Sequence, residues 1–204
     1  MPRVEINKNK KGLVKTFFLS AGVPLRSRNP TYYETADIVA IRESLRGFLA
    51  AVLPTSRVVF GGQAAITPMF RRMAQEMGLT VRDHIVLYQS QFFRMDFPTD
   101  NEAFENIVLT ADLGEREESL ALMRDEMLGN YKFDAGVFIG GMEGVEVEWE
   151  LFRKKHPSAP CYPIATTGAA ARIVFDSSPD LPSDLASEFA YLHLFRKYLM
   201  ASPA

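Results

Sequence analysis

The chain has a single cysteine, Cys161, among its 204 residues. No internal disulfide can form, and a reducing compartment suits such a chain. The three histidines, His84, His156 and His193, lack the spacing of a zinc site, so no metal is expected. A formal net charge of −2 leaves no basic field to hold a nucleic-acid backbone. Lys8, Lys10, Lys11 and Lys15 gather near the N-terminus, but they read as a solvated end rather than a nucleic-acid arm, and residues 1–12 are assigned to a tail. No apolar run approaches the roughly 18 residues of a membrane helix. The polar start also lacks the apolar stretch of a secretory signal. A cytoplasmic protein without membrane contact is expected. Gly-x-Ser-x-Gly, a Cys-His pair, a Walker-type Gly-Lys-Ser/Thr and Gly-x-Gly-x-x-Gly are all missing. Their absence argues against acyl transfer, P-loop chemistry and redox use of NAD, and no cofactor is expected.

What is present is a regular alternation. Hydrophobic residues make up 47% and charged residues 24%, the proportions of an ordinary globular chain. The length fits one domain, assigned to residues 13–204. Short apolar runs recur at Thr16–Leu19, Arg57–Phe60, His84–Tyr88, Asn106–Leu109, Ala135–Ile139 and Cys161–Ile164. They are continuously apolar rather than alternating, as strands covered on both faces are. Helical patterns lie between them, near 33–53, 68–77, 116–128 and 183–200, the last opened by a Ser or Asp cap. Residues 144–155 fit either a half-exposed strand or a helix with Val145, Trp149 and Phe152 on one face. A helix is expected, because a crossover is due after an apolar strand. The fold class that follows is α/β, a single Rossmann-like, doubly wound parallel sheet with helices on both faces.

Most of these runs end in glycine or hydroxyl residues, at the edge where open α/β sheets bind ligands. Ser20 and Gly22 follow the first run, and Gly61 and Gly62 open a second turn closed by Thr67 before Pro68. Gly140, Gly141, Met142 and Gly144 form the third turn, and Thr166, Thr167 and Gly168 the fourth. Glycine lets the backbone turn sharply and approach a ligand, and the helix behind it offers unpaired N–H groups to an anion. Any one turn could be structural, but the set reads as a site for a nucleotide or phosphosugar. The stretch Phe92–Phe104, with Phe92, Phe93 and Phe97, reads as a loop that covers the site or is pinned to the core. The methionine stripes at Met69, Met73, Met77, Met123 and Met127 read as core filler.

The order and spacing of these motifs resemble the SLOG superfamily, Rossmann-like proteins that include the cytokinin-activating LOG phosphoribohydrolases and DprA. LOG enzymes carry a helical arginine, then a strand, then Pro-Gly-Gly-x-Gly-Thr-x-x-Glu. Here Arg124 precedes Ile139-Gly-Gly-Met-Glu-Gly-Val-Glu-Val-Glu148 at a similar separation. The likeness covers most of residues 15–170. Ile139 replaces the proline, Val145 replaces the threonine, and one residue is inserted between the glycines. These departures look more like the SLOG domains of bacterial conflict systems. That resemblance implies a sensor binding a nucleotide-derived small molecule such as an ADP-ribose species, assembled as a homodimer or larger, with a separate effector protein. LOG-type hydrolysis of an N-glycosidic bond is the alternative. There Glu148 would steer water or stabilise charge on the ribose, and Arg124 would hold phosphate or substrate. The insertion leaves Glu146 competing with Glu148 for that role. A non-catalytic assembly subunit is the third reading.

Overall fold

The computed structural model describes residues 15–78, 84–97, 101, 104 and 106–201. The expected tail, with Lys8, Lys10 and Lys11, lies outside the described residues. Among the described residues six strands form one sheet: β1 (Lys15–Gly22), β2 (Ser56–Gly61), β3 (Ile85–Ser90), β4 (Ile107–Thr110), β5 (Ala135–Gly140) and β6 (Cys161–Ile164). Their order is β4-β3-β2-β1-β5-β6, and every pair is parallel. The first four strands step outward in one direction, and the chain then crosses back to place β5 on the other side of β1. This reversal makes the β1/β5 boundary the switch point of a doubly wound sheet.

Successive side chains of a strand point to opposite faces, so each strand supplies two cores. Phe17, Leu19, Val58 and Phe60 enter one core with α2 (Ile38–Val52), α3 (Ile66–Glu76) and α7 (Tyr191–Phe195). Phe18, Val59, Val86 and Phe138 enter the other with α4 (Arg116–Gly129), α5 (Glu143–Lys155) and α6 (Ala169–Asp176). Tyr32 of the short α1 (Pro30–Thr35) joins this second core. In that core Phe18 stacks on Phe152 with ring centroids 5.4 Å apart, and Trp149 meets Phe138 edge to face at 5.0 Å.

The segment that read as strand or helix is a helix. Val145, Trp149 and Phe152 are buried on one face of α5, and Val147 between them is exposed. Two other helical patterns differ from expectation. The one near 33–53 is two helices, because the Asp37 carboxylate accepts the Ala40 N–H at 2.9 Å and so starts a new helix. Val39, in the first turn of α2, is exposed. The one at 183–200 opens as a 3₁₀ turn at Ser183–Ala186, and α7 begins only at Tyr191 before a π-helical turn at Arg196–Met200. Asp184 does not cap a helix there. Its carboxylate accepts from Lys197 Nζ at 2.7 Å and Tyr198 Oη at 2.6 Å, tying the turn to the chain's last helical segment. Among the described residues no helix is long and apolar enough to cross a membrane.

Candidate functional site

The carboxyl ends of β1, β2, β3 and β5 open on one cavity of about 550 Å³ at the switch point. Its wall includes Ser20 and Gly22 at the end of β1, and Gly61 and Gly62 where β2 ends. Gly141, Met142, Gly144 and Glu148 line it from the start of α5, and Arg124 reaches it from α4. Three of the four turns read from the sequence therefore meet in one place. Gly141 shows why glycine is needed there. Its φ of +80° is a left-handed conformation, and an added Cβ would overlap Val145. The Gly141 N–H donates to the Gly22 carbonyl at 2.8 Å, locking the β5 turn against the end of β1.

Glu148 sits at the centre of the polar wall. Its Oε2 accepts from the Ser20 hydroxyl at 2.6 Å, and its Oε1 lies 3.3 Å from Arg124 Nε. Arg124 and Glu148 have side chains only 11% and 13% exposed, so water screens this pair weakly. Glu146 is one turn-position away and does something else. It accepts from the Tyr32 hydroxyl at 2.6 Å, outside the cavity wall. Burial, and then this bond to Glu146, pushes the Tyr32 phenol well above its ordinary pKa. Position separates the two acids: Glu148 faces the cavity and Glu146 braces α1 against α5.

At the first turn of α5, Glu143 accepts from Asn29 Nδ2 at 3.1 Å, and Arg28 lies 3.9 Å away. The Asn29 bond is the main cause holding the Glu143 carboxyl below its usual range. Arg116 pairs with Glu117 on the far rim. Among the described residues the lining holds three arginines, Arg28, Arg116 and Arg124, against four carboxylates, Asp96, Glu117, Glu143 and Glu148. Among the described residues no broad positive field results, so an anion here would depend on Arg124 and on the positive end of α5, where the Val145 N–H already donates to the Met142 carbonyl at 2.8 Å.

The remaining expected residues do not line this cavity. The Thr67 hydroxyl donates to the Gln63 carbonyl at 3.0 Å inside the first turn of α3. Thr167 Oγ1 accepts the Gly140 N–H at 2.9 Å and donates to the Ile164 carbonyl at 2.5 Å. Thr166 bonds the Tyr191 hydroxyl at 3.0 Å, and Gly168, at φ +69°, packs against Thr35. An added Cβ on Gly140 would press on Ile41 at 2.6 Å. The fourth turn is therefore a structural joint, because β6 lies beyond β5 and away from the cavity.

Residues not foreseen also line the site: Arg28, Gln63, Gln89 and Arg116. Gln89 carried a usable signal, since it stands at a strand end like the glycine turns. Phe93 and Phe97, expected over the site, line it, and Phe92 packs edge to face on Phe93 at 5.0 Å. Phe104 belongs to the core against Phe60. A larger opening of about 630 Å³ lies at the opposite edge, by the start of β6 and the ends of α5 and α6, and none of the expected site residues reaches it. Among the described residues no group of three or more His, Cys, Asp or Glu is placed to hold a metal ion.

No curated protein and no solved structure matches the chain. The SLOG cluster3 family matches residues 31–199, a span that holds the β2 and β5 turns, Arg124 and Glu148. On that match over most of its length, the chain belongs to the SLOG cluster3 family.

Proposed function

We propose that this protein binds a nucleotide-derived small molecule, of the ADP-ribose or nucleoside phosphate class, and acts as its sensor. The observation that carries this reading is the Ser20–Glu148–Arg124 group in the wall of the switch-point cavity, beside the opening of α5. A carboxylate with one bond to each oxygen still has lone pairs for ligand hydroxyls. The guanidinium and the helix N–H groups suit a phosphate. A homodimer or larger assembly and a separate effector protein complete the proposal, on the resemblance to conflict-system SLOG domains.

A second reading, LOG-type hydrolysis of an N-glycosidic bond, is favoured by one observation: Glu148, not Glu146, reaches the cavity and pairs with Arg124. Equilibrium dialysis against nucleoside monophosphates, NAD, ADP-ribose and its cyclic forms, read by mass spectrometry, tests both. Retention of one intact compound supports the sensor. Free base with ribose phosphate supports the hydrolase. Retention of none removes both and leaves an assembly subunit.

A further inference from the structure

The end of the cavity over β2 and β3 differs in chemistry from the end over β1 and β5. Gln89, only 5% exposed, lines this end from the penultimate position of β3. Its Oε1 accepts from Asn101 Nδ2 at 2.6 Å, and Asn101 is itself 6% exposed. That bond fixes which half of the Gln89 amide is left over. The oxygen is turned to Asn101, so the NH₂ is the half that faces Gly62 and the cavity. Reversing both amides would bury the Asn101 NH₂ without a partner, where at present only one carbonyl oxygen of Asn101 lacks one. The neighbouring Gly62 is empty for the same reason. A Cβ there would stand 2.9 Å from Gln89 Cδ and Cγ and would overlap the amide nitrogen. Its backbone is not left-handed, so the requirement for glycine is space for the amide and not conformation.

Phe93 and Phe97, from the segment that leaves β3, line the cavity, as do Leu120 and Met123 from α4, and a Cβ on Gly61 at the end of β2 would stand 3.4 Å from Met123 Cε. Apolar and aromatic walls with one oriented, desolvated donor are what a planar heterocycle needs. The walls bury the ring faces, and the donor meets a ring nitrogen or carbonyl on its edge. The Ser20–Glu148–Arg124 group, beside β1 and α5, contains no aromatic ring.

We infer that Gln89, held by Asn101 and given room by Gly62, reads the base of the bound nucleotide in a subsite closed by Phe93 and Phe97. This rests on the reading of the cavity as a nucleotide site and names the part of the ligand that the β2/β3 end takes. Sugar and phosphate then lie toward β1 and α5. The NH₂ so placed selects a ring that presents an acceptor at that edge, and a donor left unpaired there penalises ligands without one.

The test compares affinities of the full chain for the four nucleoside 5′-monophosphates, ADP-ribose and ribose 5-phosphate, which has no base. Two variants are used, Gln89→Met and Gly62→Ala, each checked for the parent's unfolding temperature. Met keeps the length of Gln without the donor or any charge. Gly62→Ala leaves the amide in place chemically but forces it aside, and so covers the case in which Gln89→Met fails to fold. The parent is expected to hold a base-bearing probe more tightly than ribose 5-phosphate. Each variant is expected to lose about tenfold or more for that probe, with ribose 5-phosphate unchanged. No change in either variant, or equal losses for both kinds of probe, overturns the assignment of Gln89 while the ligand site stands. A parent that binds none of the six removes the site and this inference together.

Discussion

The Ser20 hydroxyl, at the end of the central strand β1, donates to the Glu148 carboxylate in the second turn of α5 at 2.6 Å. The bond joins two elements 128 residues apart in sequence across the switch point of the sheet. Arg124, from a third element, takes the other oxygen. The carboxylate is therefore oriented before any ligand arrives, and preorganisation of this kind lowers the cost of binding.

Glu148→Gln keeps the size and the Ser20 contact but removes the charge opposite Arg124. An ion pair this sheltered is worth more than a surface pair, yet it is not fully buried. Chemical denaturation should show a loss of about 1–2 kcal/mol, below the range for breaking a fully buried pair. Dialysis with the retained nucleotide should show about tenfold weaker binding. If the parent turns its ligand over, turnover should fall by roughly a hundredfold or more. Undiminished binding and turnover in this variant would remove Glu148 from the site.

Glu143 gives a pH signature. Its pKa in the folded chain is lowered, mainly by the Asn29 hydrogen bond. A depressed carboxyl stabilises the fold above its unfolded pKa, and that contribution disappears as pH falls through the folded value. The side chain is half exposed, so its worth is under about 1 kcal/mol. Comparing the parent with Glu143→Gln, denaturation at neutral pH should favour the parent by that small margin. The margin should vanish on acidification through and below the ordinary glutamate range. A gap that persists at low pH would assign it to packing and not to ionisation.

The sequence patterns that were legible share a cause. Continuous apolar runs mark strands buried on both faces, and the order of strands and helices follows from the crossovers such strands need. Glycines at Gly61, Gly62, Gly141 and Gly144 mark where the backbone meets the cavity. What was not legible depends on lateral position in the sheet. The Thr166–Gly168 turn has the same composition as the others, but β6 sits one strand beyond the switch point and its hydroxyls close a joint. Sequence spacing also left Glu146 and Glu148 equivalent. Only the pitch of α5 and the place of Tyr32 separate them. Gln89 stands at a strand end like the glycines, but its bond to Asn101 and its place over Gly62 exist only in the folded chain.

The joint after β6 should behave as structure alone. Thr167→Val removes a fully buried hydroxyl that serves both the Gly140 N–H and the Ile164 carbonyl. Leaving two buried backbone groups unpaired costs on the order of 1–3 kcal/mol. Thermal unfolding should therefore drop by several degrees. Affinity for the retained nucleotide, measured well below the transition, should match the parent. A selective loss of binding with unchanged stability would return Thr167 to the site.

Cys161 is expected to be inert. Burial pushes its thiol up to about 12, so the thiolate is scarce at pH 8, roughly one part in ten thousand. Alkylation by iodoacetamide at that pH should run orders of magnitude more slowly in the folded protein than in denaturant. Comparable rates would mean that the thiol is open to solvent and ionised.

Gly144 and Gly141 separate ligand geometry from backbone geometry. Gly141→Ala puts a side chain at φ +80° and into Val145, so it should destabilise the fold and report nothing clean about binding. Gly144 lies in the first turn of α5 without a left-handed backbone, and an added Cβ would stand 3.3 Å from Arg124 Nη2. Alanine favours a helix over glycine by about 1 kcal/mol in an interior and less in a first turn. Gly144→Ala should therefore leave stability equal or slightly raised. The guanidinium, held on its other side by Glu148, must shift by a few tenths of an ångström to admit the methyl group. If Arg124 grips phosphate, that displacement weakens nucleotide binding severalfold while the unfolding temperature holds or rises. Equal affinity in the stable variant would mean that Arg124 serves only to hold Glu148, and that the helix N–H groups alone receive the anion.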